Sequence, residues 1–352
     1  MTLIILISLI IVCWLIAALV FSGPDLSRFD TPVGERFESH PDDIEHTNNA
    51  LALFKKVRQD VKKSRSPFKG MAIARDFADN LSSDLQTDTR FKADNANSVS
   101  IEWAVANGVD TKRRVLFLHG GAFLFGSAKG HRKFSDQLSK ASNAAVCSVN
   151  YRMLPEHGRM KSVLDAQAAY QWLLNNGPDG EQELDKLIVS GDSAGGNLAL
   201  MLSSWSKDGS DRKPDAVVAF SPSTDMTLSS PTIKSNQATD KMLGEGLGLL
   251  AKLPSPFRAW LTFFGLRMNP SNPLVSPVFG DLSELPPTLI HASSNEMLLG
   301  ESIRYTNRAL AANSKVSLQI WQDQLHDWHL FNIGHGSGLA AWKEVETFLN
   351  TV

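Results

Sequence analysis

Gly191-Asp192-Ser193-Ala194-Gly195-Gly196 follows the apolar run Leu187-Ile188-Val189 and precedes the helical pattern Asn197-Leu198-Ala199-Leu200-Met201. A G-x-S-x-G pattern set between a strand and a helix places a serine hydroxyl on a sharp elbow at the carboxyl end of a sheet. Gly191 and Gly195 lack a Cβ, so strand and helix can approach closely at the turn. The helix N-terminus then offers backbone N–H groups to negative charge developing beside the serine. The pattern alone is weak; the strand–turn–helix setting makes it strong. Ser193 is the candidate nucleophile, with a glycine-rich turn devoid of chemistry as the alternative.

The rhythm around the elbow is regular. Short β-prone runs occur at 114–119, 145–150, 187–191, 216–220, 288–291 and 316–321, with helical patterns at 131–142, 161–174, 194–205, 301–312 and 339–349. Such alternation predicts a mostly parallel central sheet flanked by helices on both faces. No internal repeat or low-complexity tract interrupts it. One stretch, about 229–277, breaks the alternation and carries Gly244, Gly246, Gly248, Pro254 and Pro256. It also holds an apolar cluster from Leu249 through Phe257 and Trp260 to Leu266. It reads as a lid over a pocket, or as one or two helices packed as ordinary core; both hold together, because a lid needs its own core.

Directly after the run Val115-Leu116-Phe117-Leu118 stands His119-Gly120-Gly121-Ala122-Phe123. Acyl transfer passes through a tetrahedral oxyanion that needs preset donors. The backbone N–H groups of Gly120 and Gly121 are candidates for that hole, with Ala194 as a third. His119 is expected to brace this loop rather than to titrate in catalysis.

The two motifs resemble the hormone-sensitive-lipase family of α/β-hydrolases. Tyr151-Arg152-Met153-Leu154-Pro155-Glu156-His157 looks like that family's Y-R-x-x-P-E-H segment, and Ser221-Pro222-Ser223-Thr224-Asp225 like its S-P-x-x-D segment. Asn272-Pro273-Leu274-Val275-Ser276-Pro277 resembles the stretch that returns from the cap to the sheet. The match is collinear over roughly residues 97 to 350. It implies an α/β-hydrolase fold with a helical cap, and a serine carboxylesterase, lipase-like, that forms an acyl-enzyme. The implied substrates are short-to-medium acyl or lipophilic esters, with no cofactor. An amidase or deacetylase with the same triad is one alternative. A non-catalytic binding protein on the same scaffold is the other, since function resides in the site and not the fold.

The resemblance also implies the other triad members, in the order serine, acid, histidine. His326, in Leu325-His326-Asp327-Trp328-His329-Leu330-Phe331, follows the last β-prone run by a short loop and is the expected base. His329 is its rival. The spacing of the two could also suggest metal ligation, but no matching cluster of ligands supports a metal. His131 and His335 read as loop histidines. The acid departs from the family's common Asp-Pro-Leu: here the segment is His291-Ala292-Ser293-Ser294-Asn295-Glu296-Met297-Leu298-Leu299. Simple alignment puts Asn295 in the aspartate's place, yet an asparagine in a serine-protease triad costs about 10⁴ in turnover. Glu296 is the expected acid, its extra methylene offsetting a one-residue shift. Asn295 as a neutral orienter, Glu301, Asp281 and degenerate catalysis are the alternatives.

The chain has 352 residues and a formal charge of −2. It is long enough to bury a large core, and no charged field favours nucleic acid as a partner. The two cysteines, Cys13 in an apolar run and Cys147 in a β-prone one, are not expected to pair. From Leu3 to Phe21 the one clearly polar side chain is Ser8, and about 20 apolar residues suffice to span a bilayer. Residues 1–22 are therefore read as a single-pass transmembrane anchor placing the protein at a lipid membrane. A cleaved signal and some other apolar arm are the alternatives. Arg28 and Arg36 lean weakly towards a cytoplasmic catalytic domain. Residues 23–49 read as a linker, 50–96 as an N-terminal helical cap portion, and 97–352 as the catalytic domain. Within 50–96, Leu51, Phe54, Val57 and Val61 supply an apolar helix face, so Lys55, Lys56, Arg58, Lys62, Lys63 and Arg65 read as a solvated face, with adhesion to anionic lipid as the alternative.

Overall fold

The computed structural model describes residues 2–352. The apolar N-terminal run forms α1 (Thr2–Ile16) and passes into a π-turn over Ala17–Phe21. A short strand β1 (Glu35–Phe37) precedes two helices, α2 (Asp43–Ser64) and α3 (Pro67–Asp79), and an antiparallel pair, β2 (Arg90–Ala96) and β3 (Val99–Val105). The alternating part follows as β4 (Asp110–Leu118), α4 (Arg132–Ser142), β5 (Ala144–Val149) and α5 (Arg159–Leu173). After a small hairpin, β6 (Asn176–Gly177) and β7 (Gly180–Glu181), come β8 (Lys186–Asp192), α6 (Ala194–Gly209) and β9 (Ala216–Phe220). The inserted stretch carries α7 (Thr232–Ser235), α8 (Gly246–Ala251) and α9 (Ser255–Leu266). The chain closes with β10 (Thr288–Ser293), α10 (Leu299–Ala311), β11 (Val316–Trp321) and α11 (Gly336–Thr351).

Among the described residues the main sheet runs β1-β11-β10-β9-β8-β4-β5-β3-β2. Neighbours from β1 to β5 are parallel, while β3 and β2 are antiparallel. Strands covered on both faces are largely apolar, which is why β9 reads as a continuous apolar run and β5 as one broken only by Ser148. Successive side chains alternate between faces. Leu116 and Leu118 join the core under α5 and α6, whereas Val115 and Phe117 join the core under α4 and α11.

The N-terminal run corrects the reading of residues 1–22. Among the described residues no helix is long and apolar enough to cross a membrane, so neither the single-pass anchor nor the membrane placement built on it stands. The fifteen residues of α1 reach about 22 Å at 1.5 Å per residue, short of a hydrocarbon core of about 30 Å. The rest of the run turns onto the protein. Ala17 and Phe21 are buried; the Phe21 ring stacks on Phe263 at 4.7 Å and meets Trp260 edge-on at 4.8 Å. Trp260 Nε1 donates to the Cys13 carbonyl at 3.0 Å.

The stretch read as a linker is also built into the fold. Glu35–Phe37 extends the sheet along β11, the Asp30 carboxylate takes two hydrogen bonds from Arg304 at 2.6 and 3.0 Å, and Asn307 donates to the Phe29 and Thr31 carbonyls. Two arginines are among the ties that hold the upstream helices to the rest. Arg58 on α2 donates to the carbonyls of Met242 and Lys241, and Arg75 on α3 grips Glu156 through two contacts of 2.8 Å.

Candidate active site

The register of the sheet gathers the site at the carboxyl ends of its strands. Leu118 pairs with Gly191, so the loop beginning at His119 leaves β4 beside the elbow at the end of β8. Ser293 pairs with Trp321, so the loops after β10 and β11, which carry Glu296 and His326, also start side by side.

Ser193 is the single residue between β8 and α6, with φ +50° and ψ −111°. A non-glycine residue there stores strain of about 1–3 kcal/mol, which the surroundings must hold. They do so through the backbone: Ser193 N–H donates to the Phe220 carbonyl at 2.8 Å, and its carbonyl accepts from Asn197 N–H at 3.0 Å. Glycine at 195 is obligatory, because any Cβ there would run into the Leu118 carbonyl oxygen.

His326 Nε2 lies 2.9 Å from Ser193 Oγ, and its Nδ1 lies 2.7 Å from Glu296 Oε2. Glu296 Oε1 accepts the Ser293 N–H at 2.9 Å, which fixes the carboxylate. Burial alone lowers the His326 imidazole, but the carboxylates of Asp327 and Glu296 outweigh it and hold the ring well above its ordinary value. The other acids face elsewhere. Asn295 reaches Asp323 at 3.2 Å, and Asp281 pairs with Lys207 at 2.7 Å. Glu301 accepts the N–H groups of Thr224 and Asp225, and burial, then the charge of Asp225, pushes it up to about 8. His329 faces His291, Nε2 to Nδ1 at 3.0 Å, and burial holds it well below the usual histidine value. His335 caps α11 and stacks on His46.

The three candidate oxyanion donors, two on the loop after β4 and one at the start of α6, have different fates. Gly120 N–H is engaged by Asp192 Oδ1 at 2.9 Å, so it anchors the loop instead of standing free. Gly121, at φ +113°, lines the cavity in front of Ser193. Ala194 is the first residue of α6, where no intrahelical carbonyl can take its N–H. His119 Nδ1 lies 2.8 Å from the Gly120 carbonyl, its ring stacks on Tyr151, and the Tyr151 hydroxyl donates to the His119 carbonyl at 2.6 Å. Burial, reinforced by His131, pushes His119 down to about 4, so it stays neutral.

Three residues of the site escaped the sequence reading. Asp192 is the unspecified position of the elbow motif. His131, read as a loop histidine, is buried with Nε2 3.3 Å from Asp192 Oδ2. Asp327 follows His326 and places Oδ2 3.1 Å from Nε2 of that ring. The available signal was their type: polar residues flanking motifs on strand ends that were expected to be buried.

A cavity of about 370 Å³ opens over Ser193. Phe54, Val57 and Val61 of α2 and Phe77 of α3 wall it, with Phe125, Leu330 and Phe331. From the insertion at 229–277 come Met242 and Leu243, whereas Phe263 of the apolar α9 packs against the N-terminal run. The greasy face at helical spacing in α2 therefore contributes more wall than the apolar insertion does. Among the described residues no group of three or more His, Cys, Asp or Glu side chains is placed to hold a metal ion.

Comparison with known proteins agrees with this architecture. The α/β-hydrolase fold family matches residues 115–330. An esterase from Acinetobacter venetianus is 32% identical over 238 residues, covering 68% of this chain and 75% of that protein. An acetyl-hydrolase from Streptomyces hygroscopicus is 32% identical over 240 residues, covering 68% and 76%. The crystal structure of an esterase from the bacterial hormone-sensitive lipase family superposes with a TM-score of 0.69 at 28% identity, covering 85% of this chain and 97% of that one. By the family match over residues 115–330 and the likeness to these esterases, this chain belongs to the α/β-hydrolase fold family, in its hormone-sensitive-lipase branch.

Proposed function

We propose that this serine carboxylic-ester hydrolase works through an acyl-enzyme on Ser193, with His326 as general base and Glu296 as the acid that orients it. The observation that carries the reading is the unbroken hydrogen-bonded line from Ser193 Oγ through both nitrogens of His326 to Glu296. His326 Nε2 takes the serine proton as Oγ attacks the ester carbonyl. The oxyanion forms against the N–H groups of Gly121 and Ala194, with Gly120 held in place behind them by Asp192. His326 then gives its proton to the leaving alkoxide, and the C–O bond breaks. Water, deprotonated by the same nitrogen, releases the acid and returns the proton to Ser193.

The substrates proposed are short-to-medium acyl or lipophilic esters. Support comes from the aromatic and aliphatic wall of the cavity, with few polar groups converging near Ser193. The Streptomyces relative, named an acetyl-hydrolase, favours the short end. A fluorophosphonate probe is expected to label wild-type protein and not Ser193→Ala. Turnover of p-nitrophenyl esters from C2 to C12, set beside matched anilides, reads chain length and the preference for ester over amide. Absence of both labelling and turnover would overturn the proposal.

A further inference from the structure

Asp327 stands on the wrong side of His326 to orient it. Its Oδ2 lies 3.1 Å from Nε2, the nitrogen that also faces Ser193 Oγ at 2.9 Å, while Glu296 holds Nδ1 on the opposite edge. Two carboxylates thus grip one imidazole, one at each nitrogen. Asp327 adopts φ +55° and ψ +37°, a left-handed conformation that aspartate tolerates, and its N–H donates to Ser221 Oγ at 3.3 Å. It lines the cavity over Ser193, and its Oδ1 is buried with no hydrogen-bond partner among the described residues.

A carboxylate at this distance from Nε2 requires a proton between them, because an oxygen facing the bare lone pair of a neutral ring is repelled. The proton sits on Nε2, shared between Ser193 Oγ and Asp327 Oδ2, or it sits on Asp327. In neither state is Nε2 free to accept the serine proton. Resting on the esterase reading above, we propose that Asp327 is a positioning residue that holds a resting proton at the working nitrogen of His326, so that the site becomes competent only after that proton is lost.

The surrounding charges favour this. Glu296 approaches from the loop after β10 and Asp192 from the end of β8, where it is shared between Gly120 N–H and His131. His329, near the ring, and its partner His291 are held neutral by burial. Arg58, from α2, spends its guanidinium on the carbonyls of Lys241 and Met242 and lies beside Glu245. Burial raises the Asp327 carboxyl, and Asp192 and Glu296 add to that, while His326 opposes them. For the ring the balance falls the other way, since Asp327 and Glu296 together outweigh its burial and favour the imidazolium.

The general base must be neutral to act, and the acid limb of kcat/KM reports the free enzyme. With p-nitrophenyl butyrate the wild-type limb is expected above the ordinary histidine value near 6.5. Asp327→Asn and Asp327→Ala are each expected to move the limb towards acid by about one pH unit or more, the usual effect of deleting an opposite charge at this range. Their alkaline plateau is expected to fall far less than the ~10²–10⁴ that loss of a general base costs. A wild-type limb at or below 6.5, or active variants whose limb does not move, would overturn the proposal and leave the esterase reading intact. Absence of wild-type turnover at every pH, with Ser193 unlabelled, would remove both.

Discussion

Replacing Glu296 by glutamine tests the proposed acid, and the hydrogen bonds around it dictate what the new amide must do. Glu296 Oε1 accepts the Ser293 N–H at 2.9 Å, and Oε2 meets His326 Nδ1 at 2.7 Å. A glutamine keeps its carbonyl oxygen on the Ser293 N–H, because the flipped amide would set two donors against each other at a cost of about 1–3 kcal/mol. Its NH₂ then points at Nδ1, which must become an acceptor, and the ring carries its proton on Nε2. That is the wrong tautomer for taking a proton from Ser193. The comparable change in a serine-protease triad costs about 10⁴ in kcat, or about 5.5 kcal/mol of barrier. Glu296→Gln is expected to lose about 10³–10⁴ in kcat on p-nitrophenyl butyrate with KM little changed and thermal unfolding near wild type. Asn295→Ala, which removes a side chain bound only to Asp323, is expected to change kcat by less than about threefold. Turnover kept in Glu296→Gln and abolished in Asn295→Ala would refute the tautomer argument and move the acid one residue back.

Three further perturbations probe the frame around the site. Gly195→Ala drives a methyl group into the Leu118 carbonyl, so helix and strand must part; thermal unfolding should show a loss of about 3 kcal/mol and labelling of Ser193 should fail. Asp43 accepts hydrogen bonds from His40, Gln324, Asn332 and both donors of Ser337, so Asp43→Ala should cost about 3 kcal/mol in denaturant unfolding. Burial alone raises that carboxyl, but the Ser337 and His40 bonds outweigh it and leave it below 3.8. Its contribution to stability is therefore complete above pH 3.8 and fades as pH falls through the lowered value, a slope that Asp43→Ala should lack. Phe21→Ala empties the slot between Trp260 and Phe263; limited proteolysis should cut the N-terminal arm faster while ester turnover stays unchanged.

What could be read from the residues follows from burial. The central strands are covered on both faces, so 187–189 and 216–220 are apolar without interruption and stand out from the chain. The edges do not. Glu35-Arg36-Phe37 and Arg90-Phe91-Lys92-Ala93-Asp94 carry charge because an edge strand is wetted, and charge reads as a loop or a helix face. The signal for β2 and β3 was the hairpin between them, with Asn97 at φ +56°. The N-terminal run shows the opposite failure. Its composition announces that it will leave water, yet apolar side chains do not distinguish lipid from the ring of Phe263. The number of residues before the helix breaks decides that, and the break at Ala17 leaves no trace in a hydropathy pattern.

The chemical part of the site was legible where a backbone conformation demands a residue type and hidden where only a side-chain direction matters. The elbow announces Ser193 because glycine alone fits beside the Leu118 carbonyl. Nothing in Leu325-His326-Asp327 tells which nitrogen of the ring the following carboxylate will face; the left-handed turn at Asp327 decides it. The same turn gives the site its polarity. Two carboxylates gather on the imidazole, where positive charge would develop in the proposed transition state. Glu296 and Asp327 both favour that imidazolium, but only Glu296 does so without touching the nitrogen that must exchange protons. A site with Glu296 alone would start closer to its active tautomer at low pH. Asp327 adds stabilisation to the charged ring at the cost of a proton that must first be removed, and that exchange sets the lower edge of the working pH range.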